Sequence, residues 1–358
     1  MPHLDRYKLE TTVFDGSVVH TTYTTDLESR QRRTPVQTRW TDKKTLGAGG
    51  FGIVVLQETD GGELRAVKKL LKGMGNIDYS RELKMLSKVA HRNDLFVLFM
   101  GWYENAECIY IAMEYIQHGD LSQYIKIPKF CTPKNTREIT RQLLEGLQIL
   151  HQLEICHRDL KPQNVLVAST DPVWVKIADF GVSKCTKRTI LRTRFMSQGY
   201  ASPELLGLLP LTDMTYTNEI DIWALGCIVH EMLTGEIPFL DSPQYFDSQL
   251  SLGSEPDDAQ MPQTDVIALK AFCDGSIEFP TDRMRRSGVS DAAEECVKSM
   301  LVGIPKFRVT AQDALQSDWL LPDGYLEAGA QPNAEQSRRN HMLVSSRPFL
   351  SCFPTMFG

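Results

Sequence analysis

The chain lacks the features that mark several common classes of protein. Its eight cysteines include no C-x-x-C pair, so neither a disulfide framework nor a zinc site is indicated. No window of about 18 uninterrupted apolar residues occurs, and residues 1–10 have no apolar signal-peptide core. Net positive charge is also absent, because the formal net charge is −6. We therefore expect a cytoplasmic or nuclear protein without a membrane or nucleic-acid partner.

The residues that are present can build a sizeable core with extensions. Of 358 residues, 42% are hydrophobic and 23% are charged. This length exceeds one average domain and leaves room for two lobes. Residues 1–39 are rich in Thr and Arg, and they predict either a polar arm or a strand pair leaning on the first lobe.

Hydrophobic periodicity predicts an α+β protein that changes from strands to helices along the chain. About five strands and one helix, residues 79–89, precede residue 120; after it, the pattern is helical. The strands are expected at 44–46, 53–56, 64–68, 95–100 and 109–115, and the later helices at 136–152, 220–234 and 291–302. The acidic stretch 241–275 is interpreted as a surface insertion, and residues 323–358 as a weakly ordered tail.

Residues 157–164, His-Arg-Asp-Leu-Lys-Pro-Gln-Asn, carry the strongest chemical signal, together with Asp179-Phe180-Gly181. Asp159 is a candidate base, and Lys161 is a cation that can neutralise a phosphate. Asn164 and Asp179 are oxygen ligands of the kind that Mg²⁺ prefers. Their spacing suits phosphoryl transfer from ATP.

These motifs resemble those of the eukaryotic protein kinase family. Lys161 is typical of the serine/threonine branch, and residues 179–184 and 191–193 are most like the calcium/calmodulin-dependent group. The resemblance covers residues 45–320 and implies a bilobal fold, with a small antiparallel sheet and one main helix in the N-lobe and a mainly helical C-lobe. The implied domains are an extension at 1–39, a kinase domain at 40–322 (N-lobe 40–113, hinge 114–119, C-lobe 120–322) and the tail.

A glycine-rich segment matches G-x-G-x-x-G through Gly47, Gly49 and Gly52. By itself this motif is shared with dinucleotide-binding folds, so an NAD-dependent oxidoreductase is an alternative. That fold requires a helix directly after Gly52, whereas residues 53–56 are apolar and mostly β-branched. We therefore expect a hairpin over the ATP phosphates.

Alternation in the strand 64–68 places Lys68 on a buried face beside Ala66 and Lys69 on the opposite, exposed face. A buried lysine needs a counter-charge, and by the resemblance Glu82 on the following helix supplies it. The alternative for Glu82 is a solvated helix charge.

The resemblance assigns further nucleotide contacts. Met113 takes the gatekeeper position, and the backbone of Glu114 and Ile116 would bind the adenine edge. Asp120 either lies near the ribose or caps the next helix, and both roles can hold together. Residues that would enclose the nucleotide are Leu46, Val54, Ala66 and Leu166.

Supporting contacts are also implied by the resemblance. Glu204 would pair with Arg308, and Asp221 would brace residues 157–164, the catalytic loop. A hydrophobic column would contain Leu86, Phe99, His157 and Phe180.

Regulation is expected in the basic segment between Gly181 and Pro203. Thr193 is the candidate phosphorylation site, and Arg158 would receive its phosphate; the alternative is an ordinary loop hydroxyl in a substrate-docking run. Expected partners are protein substrates and an upstream kinase, or a second copy acting in trans. The tail has a basic-then-apolar segment that a calmodulin target would need, but Pro348 interrupts any helix there. A pseudokinase scaffold is the rival reading, and the intact Lys68, Asp159, Asn164 and Asp179 argue against it.

Overall fold

In a computed structural model, an antiparallel sheet is built from strands within the first third of the chain. The structure describes residues 2–24, 34–49, 52–72, 79–179, 199–209, 218–240 and 264–321. The sheet has seven strands in the order β1-β2-β3-β4-β5-β7-β6, and each neighbouring pair is antiparallel. The strands are β1 Glu10–Phe14, β2 Ser17–Thr24, β3 Thr34–Gly49, β4 Gly52–Thr59, β5 Leu64–Leu71, β6 Phe99–Glu104 and β7 Cys108–Glu114.

Two of these strands lie in the N-terminal extension, so the sequence-based expectation of about five strands was too low. Of the two alternatives for residues 1–39, the strand pair is confirmed, because β1 and β2 form a hairpin that pairs with β3. Just before β1, Lys8 makes a parallel bridge to Trp102 of β6. The extension therefore forms one edge of the sheet, β1, and contacts the other, β6.

The hairpin changes the burial of the central strand β5. Val67 packs in a small core with Val18, Trp40 and Tyr103 on one face of the sheet, while Leu70 belongs to the main core. Arg65 is only 2% exposed and lies under the Trp40 ring, 4.0 Å from its centroid. The prediction of one buried face was therefore wrong for β5: Lys68 is buried and Lys69 exposed as expected, but the hairpin covers the second face.

The main core lies between the sheet and the helices. The short helix α1, Pro2–Asp5, packs against α2, Tyr79–Val89. The predicted bounds of α2 are confirmed, and Leu83, Leu86 and Val89 are buried.

Helices dominate the described residues after position 120, as predicted. The long helix α3, Pro133–Gln152, begins after Thr132, whose hydroxyl accepts the Asn135 N–H, and its apolar stripe is buried. A two-stranded sheet of β8, Val165–Thr170, and β9, Val173–Ile177, packs on α3. The other helices are α4 Glu219–Thr234, α5 Val266–Cys273, α6 Asp282–Arg286, α7 Asp291–Met300 and α8 Ala311–Ala314.

Two sequence predictions need correction. The strand expected at 95–100 begins only at Phe99, because Leu95 and Val97 instead exchange backbone hydrogen bonds with Ile177 of β9. The expected insertion 241–275 is too long, because α5 lies inside it and Leu269 is 1% exposed in the main core. Residues 241–263 and the tail 323–358 lie outside the described residues. None of the described helices combines the length and apolar character needed to cross a membrane.

Candidate active site

The glycine-rich segment forms the β3–β4 hairpin. Gly47 faces Val54 in the register, and Gly49 faces Gly52. The chain continues from Gly52 into strand β4 rather than into a helix, which removes the basis for the dinucleotide-binding alternative. Gly52 has φ +136°, and a Cβ there would lie 2.1 Å from the Lys69 carbonyl oxygen, so β5 passes too close for any side chain.

Lys68 connects the sheet with α2 and with the end of β9. Its ammonium nitrogen lies 3.1 Å from Glu82 Oε1 and 2.6 Å from Asp179 Oδ1. Lys68 is 6% exposed and Glu82 is 4% exposed. The solvated alternative for Glu82 is therefore wrong, and the predicted counter-charge is in place.

Burial and charge act in opposite directions on these three groups. Burial alone would lower the pKa of Lys68, but the carboxylates of Glu82 and Asp179 outweigh it, and the pKa is raised. Burial would raise the pKa of Asp179, and the Lys68 ammonium reverses this and lowers it. For Glu82, burial prevails over Lys68, and its pKa is raised. The ionised form is thus less strongly stabilised for Glu82 than for Asp179.

The predicted adenine-enclosing residues lie on neighbouring elements. Ala66 of β5 faces Met113 of β7 in the sheet register, and Val54 of β4 faces Lys68. Leu166 of β8 bridges to Asp120 just after the hinge. Leu46 is 38% exposed at the outer end of β3.

A lysine that the sequence analysis missed ties the hinge to the C-lobe. Lys176 of β9 is buried, and its ammonium lies 2.6 Å from Glu114 Oε1. The same carboxylate oxygen accepts the Leu98 N–H at 2.7 Å. The signal available in the sequence was a lysine inside the apolar strand Val173–Ile177.

Asp120 serves as a cap, one of the two roles considered for it. Its carboxylate accepts the Ser122 N–H at 3.0 Å and the Gln123 side-chain N–H at 3.3 Å. The ribose contact stays a prediction.

The catalytic loop concentrates its polar groups around Asp159. Asp159 Oδ2 accepts a hydrogen bond from Lys161 Nζ at 2.8 Å and one from Asn164 Nδ2 at 3.1 Å. Asn164 Nδ2 also donates to the Asp159 carbonyl oxygen at 2.6 Å. The three residues predicted from the motif are therefore brought together, with a cation and an amide holding one carboxylate oxygen.

Asp221 at the start of α4 holds this loop, as the resemblance implied. It is fully buried and accepts the backbone N–H groups of His157 and Arg158, both at 2.8 Å. Arg158 has φ +68°, a left-handed conformation that these bonds maintain. Burial would raise the pKa of Asp221, but the hydrogen bond from His151 at 3.0 Å contributes to a net lowering.

The loop is also bonded to the segment that carries Asp179. His157 Nε2 lies 3.0 Å from the Ala178 carbonyl oxygen, and the Ala178 N–H donates to the Asn164 carbonyl oxygen at 2.8 Å. These bonds place Asp179, with φ +51°, directly after a residue fixed to Asn164.

The donor set near Asn164 and Asp179 fits Mg²⁺. The Asn164 side chain donates to Asp159 through its amide nitrogen, so its amide oxygen can serve as a ligand. Asp179 Oδ1 is bonded to Lys68, and its second oxygen carries no such contact with Lys68. Within the described ranges, no group of three or more His, Cys, Asp or Glu side chains could hold a metal alone. Two oxygens suit an ion that completes its shell with phosphate and water oxygens.

Two further polar contacts are buried in the helical part of the protein. Arg308 donates to both carboxylate oxygens of Glu204, at 2.7 and 3.2 Å, as expected. The second contact was not predicted from the sequence: the Tyr200 hydroxyl donates to Glu231 Oε2 at 2.5 Å. Burial raises the pKa of Glu231, and this hydrogen bond opposes the rise.

Of the predicted hydrophobic column, Leu86, Phe99 and His157 are buried. Phe180, Gly181 and the candidate phosphorylation site Thr193 lie outside the described residues.

Comparison with known proteins identifies this arrangement. The family model for the protein kinase domain matches residues 40–320. The chain belongs to the protein kinase family.

Its relatives place this kinase in the serine/threonine branch. It is 31% identical over 291 residues to calcium/calmodulin-dependent protein kinase type 1B of Rattus norvegicus, covering 80% of this chain and 76% of that protein. It is also 31% identical over 292 residues to the serine/threonine-protein kinase RAD53 of Saccharomyces cerevisiae. That match covers 77% of this chain but only 32% of the yeast protein.

Solved structures agree with the sequence comparison. The crystal structure of Rad53 1–466 in complex with AMP-PNP has a TM-score of 0.59 and 29% identity, covering 79% of this chain and 65% of that one. The Rad53 kinase domain with SCD2 and AMPPNP has a TM-score of 0.56 and 26% identity, covering 80% and 92%. The protein is a bilobal serine/threonine protein kinase.

Proposed function

We propose that Asp159 accepts the proton of a serine or threonine hydroxyl while that oxygen attacks the γ-phosphorus of ATP. The new bond joins the hydroxyl oxygen to phosphorus, and the bond from phosphorus to the ADP oxygen breaks. The observation that carries this proposal is the pair of hydrogen bonds that Lys161 and Asn164 donate to Asp159 Oδ2. These two hydrogen bonds orient the base before the substrate binds.

Lys161 and Lys68 would compensate the negative charge of the phosphates. Lys161 is 24% exposed beside Asp159, within reach of the transferring group. Lys68 is buried and oriented by Glu82, so its ammonium would meet the phosphates that enter beneath the β3–β4 hairpin. A raised pKa keeps Lys68 charged in this role.

Asn164 and Asp179 would hold Mg²⁺ through their free side-chain oxygens. When bound, the ion would neutralise charge on the phosphate oxygens. The contact between Lys68 and Asp179 keeps that carboxylate ionised and close to the nucleotide site.

The nucleotide base would lie between the lobes. Val54 and Ala66 would cover one side of it and Leu166 the other, with Leu46 at the entrance and Met113 behind. The backbone of Glu114 and Ile116 would bind its polar edge, and Asp120 would approach the ribose. Lys176, by anchoring Glu114, fixes the strand end that leads into this segment.

Incubation of the purified chain with radiolabelled ATP, magnesium and a positional peptide library tests the function. We expect label on serine and threonine in phosphoamino-acid analysis. Label mainly on tyrosine, or label without dependence on magnesium, would contradict the proposal.

Regulation through the activation segment stays our proposal from the sequence. A phosphate on Thr193 would add about −1.5 to −2 charges and strong acceptors near basic residues. Arg158 is the receiving group that the structure describes, and within the described ranges its Nε has no hydrogen-bond partner. The phosphate would come from an upstream kinase or from a second copy of the chain.

The remaining partner and location predictions rest on the sequence. We do not propose calmodulin regulation, since Pro348 interrupts the basic-apolar segment. Titration of a peptide covering residues 334–358 with calcium-loaded calmodulin should release no heat. A cytoplasmic or nuclear location is in keeping with six free cysteines among the described residues.

A further inference from the structure

The segment before β1, residues 2–9, packs on α2, the helix that carries Glu82. Leu4 is 4% exposed and belongs to the same core as Leu83 and Leu86 of α2. Helix α1, in which Leu4 lies, contacts α2 directly. The Leu4 carbonyl oxygen accepts the Trp102 indole N–H at 3.2 Å. Leu4 is therefore wedged between α2 and β6.

Tyr7 contacts the hydrophobic column from the same side. Its ring lies 5.2 Å from the Phe99 ring, centroid to centroid. Its carbonyl oxygen accepts the Trp102 N–H at 2.9 Å, and the Leu9 N–H donates to the Trp102 carbonyl oxygen at 2.8 Å. The segment is thus bonded to β6 through its backbone as well as through side chains.

The sequence of β6 accommodates this segment. Gly101 has φ +130°, and a Cβ there would lie 2.8 Å from the Tyr7 carbonyl oxygen and 3.0 Å from Leu9 Cγ. Lys8 adds a contact at the same place, with its ammonium 2.7 Å from Glu104 Oε1. Any side chain at position 101 would displace the segment, so β6 is adapted to it.

We propose that Leu4 and Tyr7 are positioning residues for phosphoryl transfer: they hold α2 against β6 so that Glu82 stays on Lys68. They touch no reacting atom and act through Glu82, so the inference rests on the proposed function of the Lys68 site. Leu4 packs in one core with Leu83, the direct neighbour of Glu82. Glu82 lies on α2 and its carboxylate contacts Lys68 at 3.1 Å, so this contact depends on how firmly α2 is held.

Single substitutions in the full chain test this. Leu4→Ala and Tyr7→Ala should each lower kcat roughly tenfold, because part of the population would have Glu82 away from Lys68. KM for the peptide substrate should stay near the wild-type value. Backbone amides of residues 79–89 should exchange faster with deuterium in both variants. Leu4→Met and Tyr7→Phe should restore kcat and protection.

Val18→Ala is the matched control from the same N-terminal extension. Val18 is 3% exposed, but it belongs to the core on the opposite face of the sheet, away from α2. This variant should lower the melting temperature while keeping wild-type kcat and wild-type protection of residues 79–89. Gly101→Ala keeps the Leu4 and Tyr7 side chains but obstructs the segment, so it should also lower kcat. It provides the test if Leu4→Ala or Tyr7→Ala does not fold.

Each outcome decides the inference. Wild-type kcat and protection in the Leu4, Tyr7 and Gly101 variants would overturn it. An equal loss of kcat in Val18→Ala would also overturn it, because the effect would then be general instability. An inactive wild-type chain would instead contradict the proposed function, while the exchange measurement would still report whether the segment holds α2.

Discussion

Lys68 Nζ lies 2.6 Å from Asp179 Oδ1, although 111 positions separate the two residues in the chain. The same ammonium contacts Glu82 at 3.1 Å. One buried cation therefore links strand β5, helix α2 and the end of β9. A change at Lys68 should disconnect all three at the nucleotide site.

Replacing Lys68 with methionine should lower kcat/KM by about 100-fold or more, because a preorganised charge on the phosphates is lost. Fold and far-ultraviolet circular dichroism should be retained. Lys69→Met is the matched control, since Lys69 is the exposed neighbour on the same strand. A loss of similar size in the control would show that overall charge, and not the position of Lys68, matters.

Asp159→Asn should lower kcat by about 100- to 10,000-fold, the usual range for removing a catalytic base. The amide can still accept the hydrogen bond from Lys161, so the melting temperature should change little. Steady-state kinetics with ATP and a peptide measure the effect, and Asp60→Asn in the exposed β4–β5 turn is the control. Undiminished turnover would remove Asp159 from the proposed role.

Arg308→Met should destabilise the fold by about 3–5 kcal/mol, because it leaves the buried Glu204 carboxylate without its cation. Urea unfolding measures the difference. The comparison is Lys298→Met, which removes an exposed pair with Glu295 at 2.7 Å and should cost less than about 1 kcal/mol. Equal costs at the two sites would contradict the role given to burial.

Stability should fall in acid partly through His20. Burial, assisted by the charge of Arg65, lowers the pKa of His20 to about 4. Between pH 6.5 and 4, His20 binds a proton in the unfolded chain but stays neutral in the folded one. The contribution of His20 to stability is therefore full above pH 6.5 and is lost as the pH falls toward 4. The loss is at most about 3 kcal/mol, since one pKa unit corresponds to about 1.4 kcal/mol.

Urea unfolding at several pH values measures this dependence on pH. His20→Gln should lose less stability than wild type between pH 6.5 and 5, whereas His118→Gln, at an exposed position, should match wild type. An identical slope in all three proteins would exclude His20 as a source of the acid sensitivity.

Thr193→Ala should prevent activation by phosphorylation. After exhaustive incubation with ATP, wild type should become more active, because a phosphate at Thr193 can pair with Arg158 and nearby cations. The variant should remain at the basal rate in the same peptide assay. Equal final activity would exclude Thr193 and direct attention to Thr186 or Thr189.

The sequence alone was sufficient to indicate the kinase family and most local elements. Asp159, Lys161, Asn164 and Asp179 could be located because they lie in short motifs whose spacing the reaction restricts. Helix α3 and its buried stripe could be predicted because a helix repeats every 3.6 residues. Glu82 could be chosen because a buried lysine requires a counter-charge and the resemblance to protein kinases places that carboxylate on the following helix.

Tertiary structure alone decided which distant segments cover each surface. Alternation in β5 predicted one buried face, yet Val67 and Arg65 are buried as well, because the β1–β2 hairpin and Trp40 lie over them. The partners Lys176–Glu114 and Tyr200–Glu231 were equally inaccessible to sequence patterns. Local periodicity reports that a side chain is suited to burial, but the contact that buries it depends on how remote parts of the chain pack together.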